Sequence, residues 1–184
     1  KMSQPSVMPS QHSFAKVPQI GGIQRSVFDR SHGYKTTFDG GDLIPFFVDE
    51  ILPGDTQKLR ANIFARMATP IHPIMDNLHM DTFFFFVPSR LLWDNWEKFN
   101  GARENPDDSI DFTIPQVEPF SYDDGYPADS IYDYMGIPTD VTLNQGTYSI
   151  NALPFRAYSL IWNEWFRDEN LQDSLTVPKG DGPE

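Results

Sequence analysis

Met80-Asp81-Thr82-Phe83-Phe84-Phe85-Phe86-Val87-Pro88 runs straight into Ser89-Arg90-Leu91-Leu92-Trp93-Asp94-Asn95-Trp96, and its four consecutive phenylalanines decide the fold class. A strand covered on one side alternates apolar and polar residues, because successive side chains point to opposite faces; an unbroken apolar run requires cover on both. Burying a Phe side chain contributes roughly 1.5 to 3 kcal/mol, so the quartet offers on the order of 6 to 12 kcal/mol to an architecture that hides it. Left open, a segment of such β-propensity, with Asp81 as its nearest charge and Pro88 only at its end, is an aggregation site.

Working upstream, the same strand character recurs at short intervals. Tyr34 to Phe38 reads as a short strand, Gly40-Gly41-Asp42 as a turn, and Leu43 to Ile51 as a second apolar strand whose Pro45 suits a sheet edge or end. Leu52-Pro53-Gly54-Asp55 is a turn signal, Lys58 to Met67 a third strand, and the Phe quartet the fourth after the Pro70 to Pro73 break. Strands this close, with turns and no helices between them, predict antiparallel pairing. Residues 1–33 show no period of 2 or 3.6 and carry Pro5, Pro9, Pro18, Gly21, Gly22 and Gly33, the composition of an extended arm.

Downstream the period changes. Ser89 is a plausible N-cap and Gly101 a plausible stop for a helix with Leu92, Trp96 and Phe99 on one face and Arg90, Asp94 and Lys98 on the other. Trp93 belongs to the same aromatic group. Residues 104–146 are mostly loop, with a short helix expected from Ser130 to Met135 ending at Gly136. Asn151 then caps the best helix, with Pro154 in its first turn. At 100° per residue, Phe155, Tyr158, Ile161, Trp162, Trp165 and Phe166 share one arc, while Arg156, Asn163, Glu164 and Arg167 lie opposite. Three parts follow: an extended basic arm at 1–33, the first strands at 34–88, and a helix- and loop-rich insertion at 89–184.

The chain has 184 residues and a formal net charge of −12, but the charge is unevenly placed. Residues 1–38 hold Lys1, Lys16, Arg25, Arg30 and Lys35 against Asp29, a net of +4, whereas residues 104–140 hold ten carboxylates and no Lys or Arg. The basic arm suits phosphate contact or docking on a neighbouring subunit, and the two are compatible. Cysteine is absent, which excludes a disulfide framework, a thiolate metal site and a cysteine nucleophile. There is no apolar run long enough to cross a bilayer and no export signal, so membrane insertion is not expected and synthesis in the cytosol is. The closing loop composition from Val177 to Glu184 leads to the expectation that more chain follows.

Chemistry is poorly supported. His72, Asp76, His79 and Asp81 match no standard metal spacing, and Asp107-Asp108 and Asp123-Asp124 lack the spacing of a calcium loop. No nucleophile elbow, phosphate loop or dinucleotide fingerprint occurs. The helical Trp and Phe stripes lack interleaved Arg or Lys on the same face, which makes them packing surfaces rather than base-stacking platforms. No catalytic, cofactor or metal residue is therefore expected, and the candidate packing and assembly core is Phe83, Phe84, Phe85, Phe86, Trp93, Trp96, Phe99, Phe155, Tyr158, Trp162, Trp165 and Phe166. Lys16, Arg25, Arg30 and Lys35 are the candidate genome contacts.

Three stretches carry a resemblance: Ser6 to Gly22 with Pro-Ser-Gln-His-Ser-Phe-Ala-Lys-Val-Pro, Met80 to Gly101, and Asn151 to Leu171 with Leu153-Pro154-Phe155-Arg156-Ala157-Tyr158 and Ile161-Trp162-Asn163-Glu164-Trp165-Phe166-Arg167-Asp168. These resemble the major capsid protein of microviruses, the small icosahedral phages with circular single-stranded DNA, in their gokushovirus branch. Thr82 to Phe99 also resembles, more distantly, the strand-to-helix passage of the phiX-type members. The resemblance implies a mainly β protein, an eight-stranded antiparallel viral jelly roll with long loop and helix insertions, of which about four strands fall in this chain as the N-terminal part. It further implies a non-enzymatic shell protein of the virion, self-assembling into a T=1 icosahedral capsid. The partners it implies are copies of itself, packaged single-stranded DNA on the inner surface, a small basic DNA-packaging protein and a minor virion protein. Rival readings are a ligand- or carbohydrate-binding jelly-roll module, with aromatics singly on loops, and a hydrolase with paired carboxylates in a cleft.

Overall fold

A computed structural model describes residues 22, 24–117, 125–141 and 149–183. It divides into two units, Lys1–Lys35 and Thr36–Glu184. In the first, residues 24–35 run without helix, turn or bend, and all are exposed. In the second, the described elements are a 3-10 turn at Ser89–Leu91, helices α1 (Trp96–Phe99), α2 (Ile131–Tyr134) and α3 (Leu153–Ile161), and a π-helical turn at Trp162–Phe166 that continues α3.

The four expected strand segments carry no ladder partner among the described residues, where only two isolated bridges form, Gln116 with Asn151 and Tyr126 with Thr139. A strand satisfies its backbone N–H and C=O groups on a neighbour. Segments 43–51 and 80–88 are free of helix and turn.

The helix expected over Ser89 to Gly101 is two pieces rather than one. Pro88, in extended conformation, precedes the 3-10 turn, so Ser89 is its first residue and makes no side-chain cap. The chain turns again at Asp94-Asn95 before α1, so Arg90, Asp94 and Lys98 do not line one continuous helix face. Gly101, at φ 94°, ends α1 in the left-handed conformation that glycine adopts without strain, and its N–H donates to the Lys98 carbonyl at 2.9 Å. Helix α2 follows its sequence closely: the Ser130 side chain accepts from the Asp133 N–H, and Gly136 at φ 87° stops it.

Helix α3 starts one residue later than an Asn151 cap implies. Ala152 is the flanking residue, while the Asn151 side-chain oxygen accepts from the Leu153 N–H at 2.9 Å. Asn151 thus caps from one position further out and also bridges to Gln116. Two small cores meet α3. Phe155 joins Val117, Tyr126, Ile137 and Ala152, and Leu153 joins Leu92 and Trp93. Gly125 lets the first core close: at φ 78°, a Cβ there would run into the Val141 backbone.

Candidate assembly surface

An extended chain presents odd and even residues to opposite sides, and the quartet does so here. Phe83 and Phe85 face the end of the long helix: Phe83 meets Phe166 edge-on with ring centroids 5.4 Å apart, and Phe85 meets Phe166 at 6.0 Å and Trp165 at 5.6 Å. Phe84 points the other way and meets Phe46 edge-on at 5.8 Å. Offset and edge-to-face pairs of this kind add about 0.5–1.5 kcal/mol beyond the area they bury.

The cover is incomplete among the described residues. Phe83, Phe84 and Phe86 remain 54%, 52% and 75% exposed, and Trp165 is 72% exposed on its outer side. The expectation that the quartet is hidden on both faces is therefore met only in part by residues 36–183. Val48, Ile51 and Leu52, in the segment that carries Phe46, are also exposed.

The π-turn explains how Trp165 and Phe166 both reach the quartet. Its closing bond runs from the Arg167 N–H to the Trp162 carbonyl, five residues back, at 2.9 Å. The extra residue shifts the side chains away from the 100° spacing assumed for a regular helix. Beyond the turn, the Asn163 side-chain amide donates to the Leu175 carbonyl at 2.8 Å and its oxygen accepts from the Leu175 N–H at 2.9 Å, so one side chain stands in for a strand neighbour.

Behind this surface lies a polar clamp that the helical wheel misplaces. Arg156, expected on the wet face, is 1% exposed. Its guanidinium donates to the carbonyls of Leu92 at 3.1 Å, Gly180 at 3.0 Å and Gly182 at 3.1 Å. The fork of a guanidinium serves several acceptors at once, which is how a cation tolerates such burial. Between the two glycines, Asp181 accepts from the Trp93 indole N–H at 2.6 Å and from the Asn95 amide at 2.9 and 3.0 Å. Those donors, Asn95 first and then Trp93, with the Arg156 charge adding to them, hold the Asp181 carboxyl below its ordinary value. Asp94 N–H donates to the Lys179 carbonyl at 3.0 Å, so residues 179–182 lie as a strap across Leu92 to Asn95. Asp181 and Asn95 have no distinguishing mark in the sequence, where Gly180-Asp181-Gly182 reads only as loop.

The remaining expected residues fall around these two features. Trp93 is fully buried and meets Phe99 in a tilted contact at 5.4 Å and Trp96 edge-on at 6.4 Å. Tyr158 donates its hydroxyl to the Leu43 carbonyl at 2.8 Å, and desolvation, then the nearby Asp42 charge, raises its pKa. Tyr132 bridges Tyr126 at 4.4 Å and Phe155 at 5.3 Å. Trp162 is half-buried at the start of the π-turn. Arg25, Arg30 and Lys35 are exposed in the first unit, and Lys16 lies outside the described residues, as does Asp123-Asp124. Among the described residues, no three His, Asp or Glu side chains gather to hold a metal ion, and no helix is long and apolar enough to cross a membrane.

Comparison with known proteins gives this arrangement its context. The family described as "Capsid protein (F protein)" matches residues 15–184. Capsid protein VP1 of Bdellovibrio phage phiMH2K is 54% identical over 175 residues, covering 95% of this chain and 32% of that protein. Capsid protein VP1 of Chlamydia phage 1 is 52% identical over 183 residues, covering 96% of this chain and 29% of its own length. Capsid protein VP1 of Spiroplasma virus 4 is 34% identical over 156 residues, or 84% of this chain and 27% of that one. The chain thus spans about a third of the length of the curated relatives it matches.

Proposed function

This chain belongs to the capsid protein (F protein) family, and on that premise we propose that it is part of a phage shell protein whose copies self-assemble into a closed, symmetric T=1 capsid around a single-stranded DNA genome. The observation that carries the reading is the open aromatic surface: Phe83, Phe84, Phe86 and Trp165 are each more than half exposed. Contiguous exposed apolar patches mark surfaces that meet a partner. In a symmetric shell one such patch is used in every copy, and many weak contacts add up without any turnover of substrate.

In this reading the segments at 34–38, 43–51, 58–67 and 83–86 are strands of an antiparallel jelly roll, completed by strands from the rest of the protein. A second sheet then lies on one face of the quartet, opposite the helix end that Phe83 and Phe85 already touch. The acidic loop face belongs to the exterior or to subunit contacts, and the basic arm to the genome side. A small basic DNA-packaging protein and a minor virion protein complete the particle. Identities of 54% and 52% to capsid proteins weigh against the alternative of a ligand- or carbohydrate-binding module.

The deciding experiment is size-exclusion chromatography with negative-stain microscopy of the full-length protein. Closed particles of uniform diameter are expected. A stable monodisperse monomer at particle-forming concentrations would overturn the reading.

A further inference from the structure

Two observations of different kinds fall on one edge of the segment at 43–51. Pro45 has no backbone N–H, so it offers a ladder only its carbonyl. The Leu43 carbonyl is already taken, because the half-buried Tyr158 of α3 donates its hydroxyl to it at 2.8 Å. In an antiparallel pair a residue sends its N–H and its C=O to the same neighbour, and the next residue sends its own the other way. Leu43 and Pro45 therefore face one side of the strand, and Ile44, Phe46 and Val48 the other. Among the described residues, none of these last three makes a backbone hydrogen bond. The device recurs: the Asn163 side chain fills both the N–H and the C=O of Leu175, and the Tyr134 hydroxyl of α2 donates to the Thr37 carbonyl at 3.3 Å.

We propose that Tyr158 and Pro45 together close the Leu43 and Pro45 edge of this segment to every other strand, so that it enters a sheet only through Ile44, Phe46 and Val48. This rests on the jelly-roll reading above and extends it to what keeps copies from joining in the wrong way. An open strand edge is a template for any other chain, and copies that add edge to edge without closing give fibres or open sheets. Shell subunits meet their own copies at high local concentration, where unpaired edges aggregate most readily. Proteins blunt such edges with proline or by covering them; here a proline takes away the donor and a tyrosine, two residues along, occupies the acceptor. Burial of Tyr158, and then the charge of Asp42, raises the pKa of the hydroxyl, which keeps it protonated and donating.

The test uses the full-length protein with Tyr158→Phe, which frees the Leu43 carbonyl, and Pro45→Val, which restores an N–H, singly and together. Ser130→Ala removes the side-chain cap of α2 and lies on none of the strand segments, so it controls for lost stability. Growth of thioflavin-T-positive aggregates is followed by fluorescence, and fibres or open sheets are looked for by microscopy. Each single variant is expected to stay within about twofold of wild type and the pair to grow about fivefold faster or more, because a ladder along that edge needs both groups. Ser130→Ala is expected to grow as wild type does. Amide exchange of the wild type reads the other edge, where Ile44, Phe46 and Val48 are expected to be protected by a sheet neighbour. Unchanged growth in the pair overturns the proposal even when those amides are protected, and so does an equal rise in Ser130→Ala, which traces the growth to lost stability. Fast exchange at all three amides overturns the strand reading and the proposal with it. Microscopy of wild-type particles is read separately, so a failure of the shell reading is distinguishable from a failure of the closed edge.

Discussion

Arg156 ties three backbone carbonyls from two distant parts of the chain, Leu92 on one side and Gly180 and Gly182 on the other. Removing it leaves acceptors without their charged donor, and each such loss costs about 1–3 kcal/mol. Arg156→Met, close in size and apolar, is therefore expected to destabilise the full-length protein by about 3 to 5 kcal/mol. It is also expected to free the strap, read as faster tryptic cleavage after Lys179 alongside a lowered urea midpoint. Arg156→Lys recovers only part of the loss, because an ammonium cannot fork to three acceptors in fixed directions. A wild-type midpoint for Arg156→Met would show that the clamp is dispensable. The helical wheel places Arg156 with the solvated residues because a charge is normally wet, and only the strap, which is remote in sequence and has no pattern of its own, reverses that.

At the scale of elements, the quartet and the end of the long helix form one unit in which Phe83 and Phe85 meet the helix end and Phe84 meets Phe46, while Phe83, Phe84 and Phe86 each stay more than half exposed. A carboxylate placed where a partner later closes is buried without a counter-charge, which costs several kcal/mol in every copy of a symmetric assembly. Phe84→Asp and Trp165→Asp are each expected to abolish particles, measured as yield by sedimentation and microscopy; wild-type yield from either would refute the cover. Much of this unit is legible in sequence. Four Phe in a row demand two covered faces, Gly101 and Gly136 stop helices as expected, and Phe155 to Phe166 read as one aromatic stripe. What is not legible has physical causes. After Ile161 the helix widens into a π-turn, which no 3.6-residue period anticipates. The chain turns again at Asp94-Asn95, so the helix expected from Ser89 is two pieces. Strand pairing depends on partners, and none is present among the described residues.

For the whole molecule, charge and apolar surface are sorted along the chain: a basic arm, an aromatic middle and acidic loops. If the proposed shell encloses DNA on the arm's side, the arm's cations are expected to release counterions from phosphate and so to set how firmly the genome is held more than whether subunits meet. Replacing Lys16, Arg25 and Arg30 by Gln is expected to lower the DNA content of purified particles, read from the ratio of absorbance at 260 and 280 nm, with little change in particle yield. Equal DNA content would leave the arm with a docking role only. The Phe quartet carries a further consequence for such an assembly. Because all four positions are identical, sliding the segment by one residue exchanges the inner and outer rings at almost no local cost, so the run cannot set its own register. That task falls to the residues just after it, where Trp93 is fully buried and Arg156 grips the Leu92 carbonyl. A buried guanidinium thereby fixes which phenylalanines stay exposed.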